Sequence, residues 1–175
     1  MRDKLVHDNK VNSGLGDSMP IDSKTAPKPG RLGRASDVSG SIAVAWCSIA
    51  VGALTGLLLS LWSFHGPFPV PPAIGEYDDL SRRLLRLGHI AFFGLGILNI
   101  LLANHLSGVE CDPRRKKLAF LAMNLGNLFL PLTLIAAAFV HPLKYLASLP
   151  AMAVTLAVII GAHAALAAHL GGGRR

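Results

Sequence analysis

The chain has 175 residues and a mass of 18.5 kDa, which is the size of one ordinary domain. Hydrophobic residues make up 51% of the sequence and charged residues only 15%, against about 25% charged residues in an average soluble domain. Mean hydropathy is +0.47. This composition excludes a disordered protein and disfavours a soluble one. All charged residues lie outside four stretches, 38–75, 87–109, 118–143 and 145–173, a distribution typical of a polytopic membrane protein.

Residues 1–40 are polar and contain no short apolar core near Met1, so we predict a flexible, basic cytoplasmic tail rather than a signal peptide. Residues 41–170 then form an all-α domain, a bundle of four transmembrane helices. A span needs about 20 apolar residues, and the four candidates are about 42–62, 87–106, 118–140 and 147–169. They are helices because lipid offers the backbone no hydrogen-bond partner. Residues 171–175 form a short C-terminal tail.

Lys and Arg set the orientation. Thirteen of the 17 Lys and Arg residues lie in the N-terminal tail, in loop 107–117 and at the C-terminus. In a chain with four spans, these three segments lie on the same side of the membrane. We therefore predict that both termini are cytoplasmic. The absence of a targeting peptide and the short loops suggest a prokaryotic cytoplasmic membrane. The net charge of +7 is better explained by topology and by anionic lipid head groups than by nucleic acid. The head-group contacts fall on one cationic run, formed by Arg114, Arg115, Lys116 and Lys117.

The first helix contains a ridge of small residues at intervals of four, formed by Ser48, Gly52, Gly56 and Ser60. The fourth helix has a similar ridge, formed by Ala157, Gly161 and Ala165. Small residues let transmembrane helices approach closely, so both ridges are predicted packing surfaces. They serve either a tight internal bundle or an interface between copies of the chain. Between the first two spans, residues 77–86 are expected to form a short surface helix, with Leu80, Leu84 and Leu87 in a stripe that faces lipid.

Polar residues inside three spans fall at similar depth. Asn124 and Asn127 share one face of the third helix, and Asn99 and His163 lie at a matching distance from the cytoplasmic edge. Pro131 is expected to kink the third helix and to free the carbonyl group of Asn127. The four polar side chains are predicted to be hydrogen-bonding partners between helices. A small polar cavity beside the kinked helix is the alternative.

Histidines at helix ends suggest a second kind of site. His89 and His141 both lie at the outer boundary, where a pair of imidazoles from two helices is what haem b ligation requires. Arg82 and Arg86 share a helix face with His89 and are candidates for contacts with haem propionates or another anion. His105, at the other end of the second helix, is about 160° away from His89 around the axis, which disfavours a two-haem arrangement. The alternative is that these histidines bind no cofactor and contact only water and lipid at the membrane interface.

No catalytic motif is present. The spans contain no carboxylate pair, the chain contains no GxSxG or HExxH sequence, and its two cysteines form neither a CxxC motif nor a zinc-type spacing with histidine. The primary hypothesis is therefore a membrane protein without catalysis of its own, a structural or accessory component of a membrane assembly. The alternative is a small electron-transfer protein that binds haem b or a metal through His89 and His141.

Overall fold

The computed structural model describes residues 29–63, 66–75 and 79–172, and the side-chain environments of residues 37–170 within those ranges. It consists of helices α1 (Pro29–Ser60), α2 (Leu80–Gly108), α3 (Pro113–Phe139) and α4 (Ser148–Gly172), with a short 3-10 helix at His141–Ala147 before α4. The described residues contain no β-strand. Four segments are long and apolar enough to cross a membrane: Asp37–Ser60, Leu80–Gly108, Pro113–Phe139 and His141–Leu170. The prediction of four such helices is confirmed.

The first three helices begin earlier than the predicted spans, because hydropathy detects only the part of a helix suited to lipid. α1 already includes the last residues of the predicted tail from Pro29 onward, while residues 1–28 and 173–175 lie outside the described residues. α3 begins at Pro113, where Asp112 caps the helix by accepting a 2.9 Å hydrogen bond from the amide of Arg114. Pro150 lies in the first turn of α4, a position that tolerates proline.

The surface helix predicted at residues 77–86 does not exist as a separate element. α2 begins at Leu80 and continues without a break into the second span, because no glycine or proline interrupts the chain before Gly88. Leu84 is 8% exposed and packs inside the bundle, so its predicted contact with lipid is wrong. Residues 77 and 78 lie outside the described residues. α3 runs through a fully buried Pro131, and the kink predicted there stays a prediction.

Consecutive helices pack against each other, and α2 and α3 occupy the middle of the bundle. Of the most apolar stretch of each helix, 33% of the residues in α2 and 44% in α3 are buried. The corresponding fraction is 17% in both α1 and α4. The two central helices are therefore shielded by neighbours, whereas the two flanking helices leave most of their apolar residues uncovered.

The buried apolar residues form two clusters, one toward each end of the bundle. The first contains Leu102, Leu106, Phe120 and Met123, and the second contains Ile74, Leu84, Leu85 and Leu134, each with small residues around it. Between the clusters, two glycines allow close approach of helix backbones. A Cβ atom on Gly96 would lie 3.0 Å from the carbonyl oxygen of Ala45, and one on Gly126 would lie 3.0 Å from that of Pro150. Any larger side chain at these two glycines would push the helices apart.

Candidate functional site

A hydrogen-bonded group of neutral side chains joins α1, α2 and α3. Nδ2 of Asn99 donates to Oδ1 of Asn124 over 2.8 Å and to the carbonyl oxygen of Ser41 over 3.4 Å. Nδ2 of Asn124 in turn donates to the hydroxyl of Ser41 over 3.1 Å. Ser41 and Asn99 have no exposed surface. The two asparagines that the sequence places at equal depth therefore bond directly, and Ser41 ties both of them to α1.

A second group lies one turn farther along α3. The hydroxyl of Ser48 on α1 is 2.9 Å from Oδ1 of Asn127 and 3.0 Å from the carbonyl oxygen of Phe92 on α2. Because a hydroxyl has one proton, it can donate to only one of these oxygens at a time. With the Asn127 amide turned by 180°, Nδ2 donates to Ser48 and Ser48 donates to Phe92, which satisfies both contacts. Asn127 is fully buried, so the group links three helices inside the bundle.

These two groups are suited to holding helices together rather than to chemistry. They contain only serine hydroxyls and carboxamides, which neither titrate nor carry electrons at ordinary pH. Oδ1 of Asn99 and one of the two amide atoms of Asn127 are buried without a hydrogen-bond partner among the described residues, so neither group is fully satisfied. Within the same part of the chain, no three His, Cys, Asp or Glu side chains come together in a way that could hold a metal ion. Interhelical bonds of this type contribute about 0.6–2 kcal/mol each.

His163 does not join the asparagines. It is exposed on α4, where it lines a groove together with Cys111 and Arg115. The buried face of α4 is formed instead by Ala157, Gly161 and Ala164. His163 precedes Ala164 by one residue and therefore points about 100° away from it around the helix, so a matching depth in the sequence does not bring His163 to the interior.

The ring of His89 lies against α1. Its Nδ1 atom is 2.8 Å from the carbonyl oxygen of Gly52 and 3.4 Å from the hydroxyl of Thr55. The ring also meets the ring of Phe93 edge to face, with 5.3 Å between the centroids. Gly56 lies beneath the imidazole, and a Cβ atom there would be 2.9 Å from Nε2. Because a carbonyl oxygen can only accept, the bond to Gly52 puts the proton of the neutral ring on Nδ1.

His141 has a different partner. It is exposed at the start of the 3-10 helix, and its Nε2 atom is 3.1 Å from the hydroxyl of Ser81 on α2. Ser81 precedes His89 by eight residues, which is about 12 Å along the axis of α2 and about 80° around it. A single haem iron needs both imidazoles at bonding distance. The structure therefore does not bring His89 and His141 together as a pair of axial ligands.

One of the two arginines predicted to contact an anion, Arg82, binds a backbone carbonyl next to α1 instead. Arg82 is 6% exposed, and its guanidinium donates to the carbonyl oxygen of Trp62, just beyond the end of α1. This carbonyl is left over where the helix ends, and a cation there also interacts favourably with the helix dipole. Arg86 is half-buried. Arg82 therefore connects α2 to the end of α1.

The cationic run at the start of α3, Arg114 to Lys117, also divides into a buried and an exposed part. Lys116 is 5% exposed, and its ammonium group donates to the carbonyl oxygen of Val109, the C-cap residue of α2. Arg114, Arg115 and Lys117 are exposed. Lys116 therefore caps the end of α2 and is not exposed to a surrounding lipid surface, contrary to expectation, whereas the head-group contacts expected of its three exposed neighbours stay a prediction.

The small-residue ridges contribute only in part. Ser48 and Gly52 are buried and Gly56 is half-buried against α2, but Ser60 is exposed and donates to the carbonyl of Leu57 in its own helix. On α4, Ala157 and Gly161 are buried whereas Ala165 is exposed. A step of four residues turns about 40° past a full turn, so a ridge spaced by four drifts away from its neighbour. The buried residues of α1 alternate steps of four and three instead, at Ser41, Ala45, Ser48 and Gly52.

Sequence reasoning missed three positions. Ser41 lies seven residues before Ser48, so a heptad count rather than a count by four would have found it. Gly88 and Gly96 lie eight residues apart on α2 and contact different neighbouring helices. A Cβ atom on Gly88 would be 3.1 Å from the carbonyl oxygen of Pro131 on α3, whereas Gly96 faces α1.

No known protein family, curated protein sequence or solved structure shows a significant match to this chain.

Proposed function

We propose that the protein is a multi-pass integral membrane protein with both termini in the cytoplasm, without catalysis of its own, that serves as a structural or accessory component of a membrane assembly. The observation that supports this proposal is the uncovered apolar surface of the two flanking helices. Only 17% of the apolar stretch of α1 and of α4 is buried, and the large side chains left exposed include Trp46, Leu54 and Leu57 on α1 and Met152 and Ile159 on α4. Exposed apolar faces of this size require lipid or another protein as their cover.

The distribution of positive charge supports the proposed orientation. The loop between α2 and α3 and the start of α3 present Arg114, Arg115 and Lys117 at the surface. At the opposite end of the helices, Arg82 is used inside the bundle, and the exposed cations among the described residues there are Arg83 and Lys144. Exposed Lys and Arg near the ends of spans favour the cytoplasmic side, so the α2–α3 loop and both termini belong there.

The native cysteines provide a direct test of this topology. Cys111 lies between α2 and α3 and is partly exposed, whereas Cys47 lies within the first span. In inside-out vesicles a membrane-impermeant maleimide should label Cys111 but not Cys47, and in right-side-out vesicles it should label neither. The variants Cys47→Ser and Cys111→Ser identify the labelled position. Labelling of Cys111 from the outer side would overturn the orientation, and a protein that stays in the supernatant without detergent would overturn membrane insertion.

The role in an assembly needs a separate test. Met152 on α4 is 67% exposed, whereas Met123 on α3 has no exposed surface. With photoreactive methionine incorporated in cells, illumination should produce protein adducts that are lost in the variant Met152→Leu and kept in Met123→Leu. Adducts of lipid alone at Met152 would leave the membrane topology standing and would refute an assembly through this face of α4.

A further inference from the structure

A groove of about 470 Å³ lies between α4 on one side and the α2–α3 loop and the start of α3 on the other. We call it the α3–α4 groove. Its apolar wall is formed by Leu118, Leu156 and Ile159, and its other end by Glu110, Asp112 and Arg115, with His163 beside them. The volume is in the range of about 300–1,000 Å³ that is usual for small-molecule sites. The groove is thus amphipathic, with charges at one end only.

The dimensions of the groove suit one leaflet of a bilayer. Its wall on α4 extends from Leu156 to Ala167, which corresponds to about 16 Å of helix. The hydrocarbon core of a membrane is about 30 Å thick, so one leaflet provides about half of that. The charged end of the groove lies beside the start of α3, at Asp112 and Arg115, where the membrane span meets the loop. A molecule that fits this groove therefore has an apolar chain and a polar head in the same order as a phospholipid.

The charges at the mouth discriminate between head groups. Glu110, Asp112 and Arg115 are exposed there and together carry one net negative charge when His163 is neutral. One carboxylate oxygen of Asp112 accepts the bond from the amide of Arg114, which leaves the other oxygen for a ligand. A purely anionic head group would find one cation and two carboxylates. A head group with a phosphate and a primary ammonium matches both signs, because the guanidinium binds phosphate and the carboxylates accept from the ammonium.

We propose that the α3–α4 groove binds one phospholipid whose head group is zwitterionic and contains a primary amine. One acyl chain lies along Leu118, Leu156 and Ile159, the phosphate binds Arg115, and the ammonium binds Glu110 and Asp112. This inference rests on the proposed insertion of the four helices into a membrane.

The test uses the full chain, purified and delipidated in detergent, with native mass spectrometry as the readout. The probes are phosphatidylethanolamine, phosphatidylcholine and phosphatidylglycerol with identical acyl chains. We expect one bound phosphatidylethanolamine, held about tenfold more tightly than phosphatidylcholine, since a quaternary ammonium cannot donate hydrogen bonds and tenfold corresponds to about 1.4 kcal/mol. The double variant Glu110→Gln, Asp112→Asn should abolish that preference. It should not harm α3, because asparagine is as good an N-cap as aspartate.

Matched variants separate the groove from the surface around it. Arg115→Gln should weaken the binding of phosphatidylethanolamine and phosphatidylcholine alike, whereas Arg114→Gln, one residue away and outside the groove, should leave both unchanged. Ala167→Trp should block the groove, and Ala168→Trp, on the exposed surface beside it, should not. Stronger binding of phosphatidylglycerol, equal binding of all three lipids, or no bound lipid would each overturn the proposal, as would a dimer that Ala167→Trp dissociates. Cys111 also lines the groove, so a bound lipid slows its labelling but does not change the side of the membrane from which the maleimide reaches it; the two proposals therefore fail separately.

Discussion

The contact between α1 and α2 at Gly56 gives a stability prediction of defined size. In the variant Gly56→Ala, the new methyl group would overlap Cε1 of His89 and lie 2.9 Å from Nε2. The ring cannot simply turn away, because Nδ1 is held by the carbonyl oxygen of Gly52 and the ring packs edge to face on Phe93. We therefore expect an outward shift of α1 together with loss of the His89–Gly52 hydrogen bond.

The magnitude follows from three opposing contributions. Alanine is a better helix former than glycine by about 1 kcal/mol, which stabilises the variant. Overpacking a tight contact costs about 1–3 kcal/mol, and losing an interhelical hydrogen bond costs about 0.6 kcal/mol or more. At Gly94 the Cβ position has no atom within 4 Å. Gly94→Ala therefore gains the helix propensity of alanine without overpacking a contact or losing a hydrogen bond. Gly56→Ala should therefore be less stable than Gly94→Ala by about 2–4 kcal/mol.

The assay is reversible unfolding in mixed micelles, followed by circular dichroism while the fraction of denaturing detergent is raised. A double-mutant cycle with His89→Ala tests the cause, because removing the ring should abolish most of the penalty of Gly56→Ala. If Gly56→Ala and Gly94→Ala unfold at the same detergent fraction, or if the penalty persists without the imidazole, the packing of His89 on Gly56 is not what holds these helices together.

Three further outcomes are expected from the same unfolding measurement and from labelling. Asn99→Leu should lower the free energy of unfolding by about 1–2 kcal/mol through the lost bonds to α1 and α3, whereas Asn104→Leu, at an exposed position of the same helix, should change it little; equal effects would argue against the network. Lys116→Met should cost about 1–3 kcal/mol by leaving the carbonyl of Val109 unsatisfied, and Lys117→Met should be neutral, so a neutral Lys116→Met would contradict the capping role. An apolar maleimide that enters the micelle should label Cys47, which is exposed on α1, faster than a cysteine at the buried position Ala45 (Ala45→Cys), and equal protection of the two would indicate a protein partner over Cys47 rather than detergent or lipid.

The buried cations show a stability device that charge counting alone conceals. Arg82 and Lys116 each donate to a backbone carbonyl just beyond the end of the preceding helix, at Trp62 after α1 and at Val109 after α2. The last carbonyls of a helix have no partner within it, and a donor from the next helix both satisfies them and fixes the turn between the two. In the sequence these residues are indistinguishable from neighbours such as Arg83 and Lys117, which are exposed.

The sequence alone determined that the chain forms four long apolar helices, because spans of this length without charge leave the backbone no alternative in lipid. It also identified Asn99 and Asn124 as partners in depth, since rise along a helix is the same for every residue. Which side chains face the interior was determined only by the tertiary structure. Ser60, His163 and Ala165 matched the patterns and are nevertheless exposed, whereas Ser41 and Ala164 are buried. The rotation of each helix about its own axis depends on how its neighbours pack. Because residues spaced by four drift around the helix by about 40° per step, only the packed bundle shows which of them are buried.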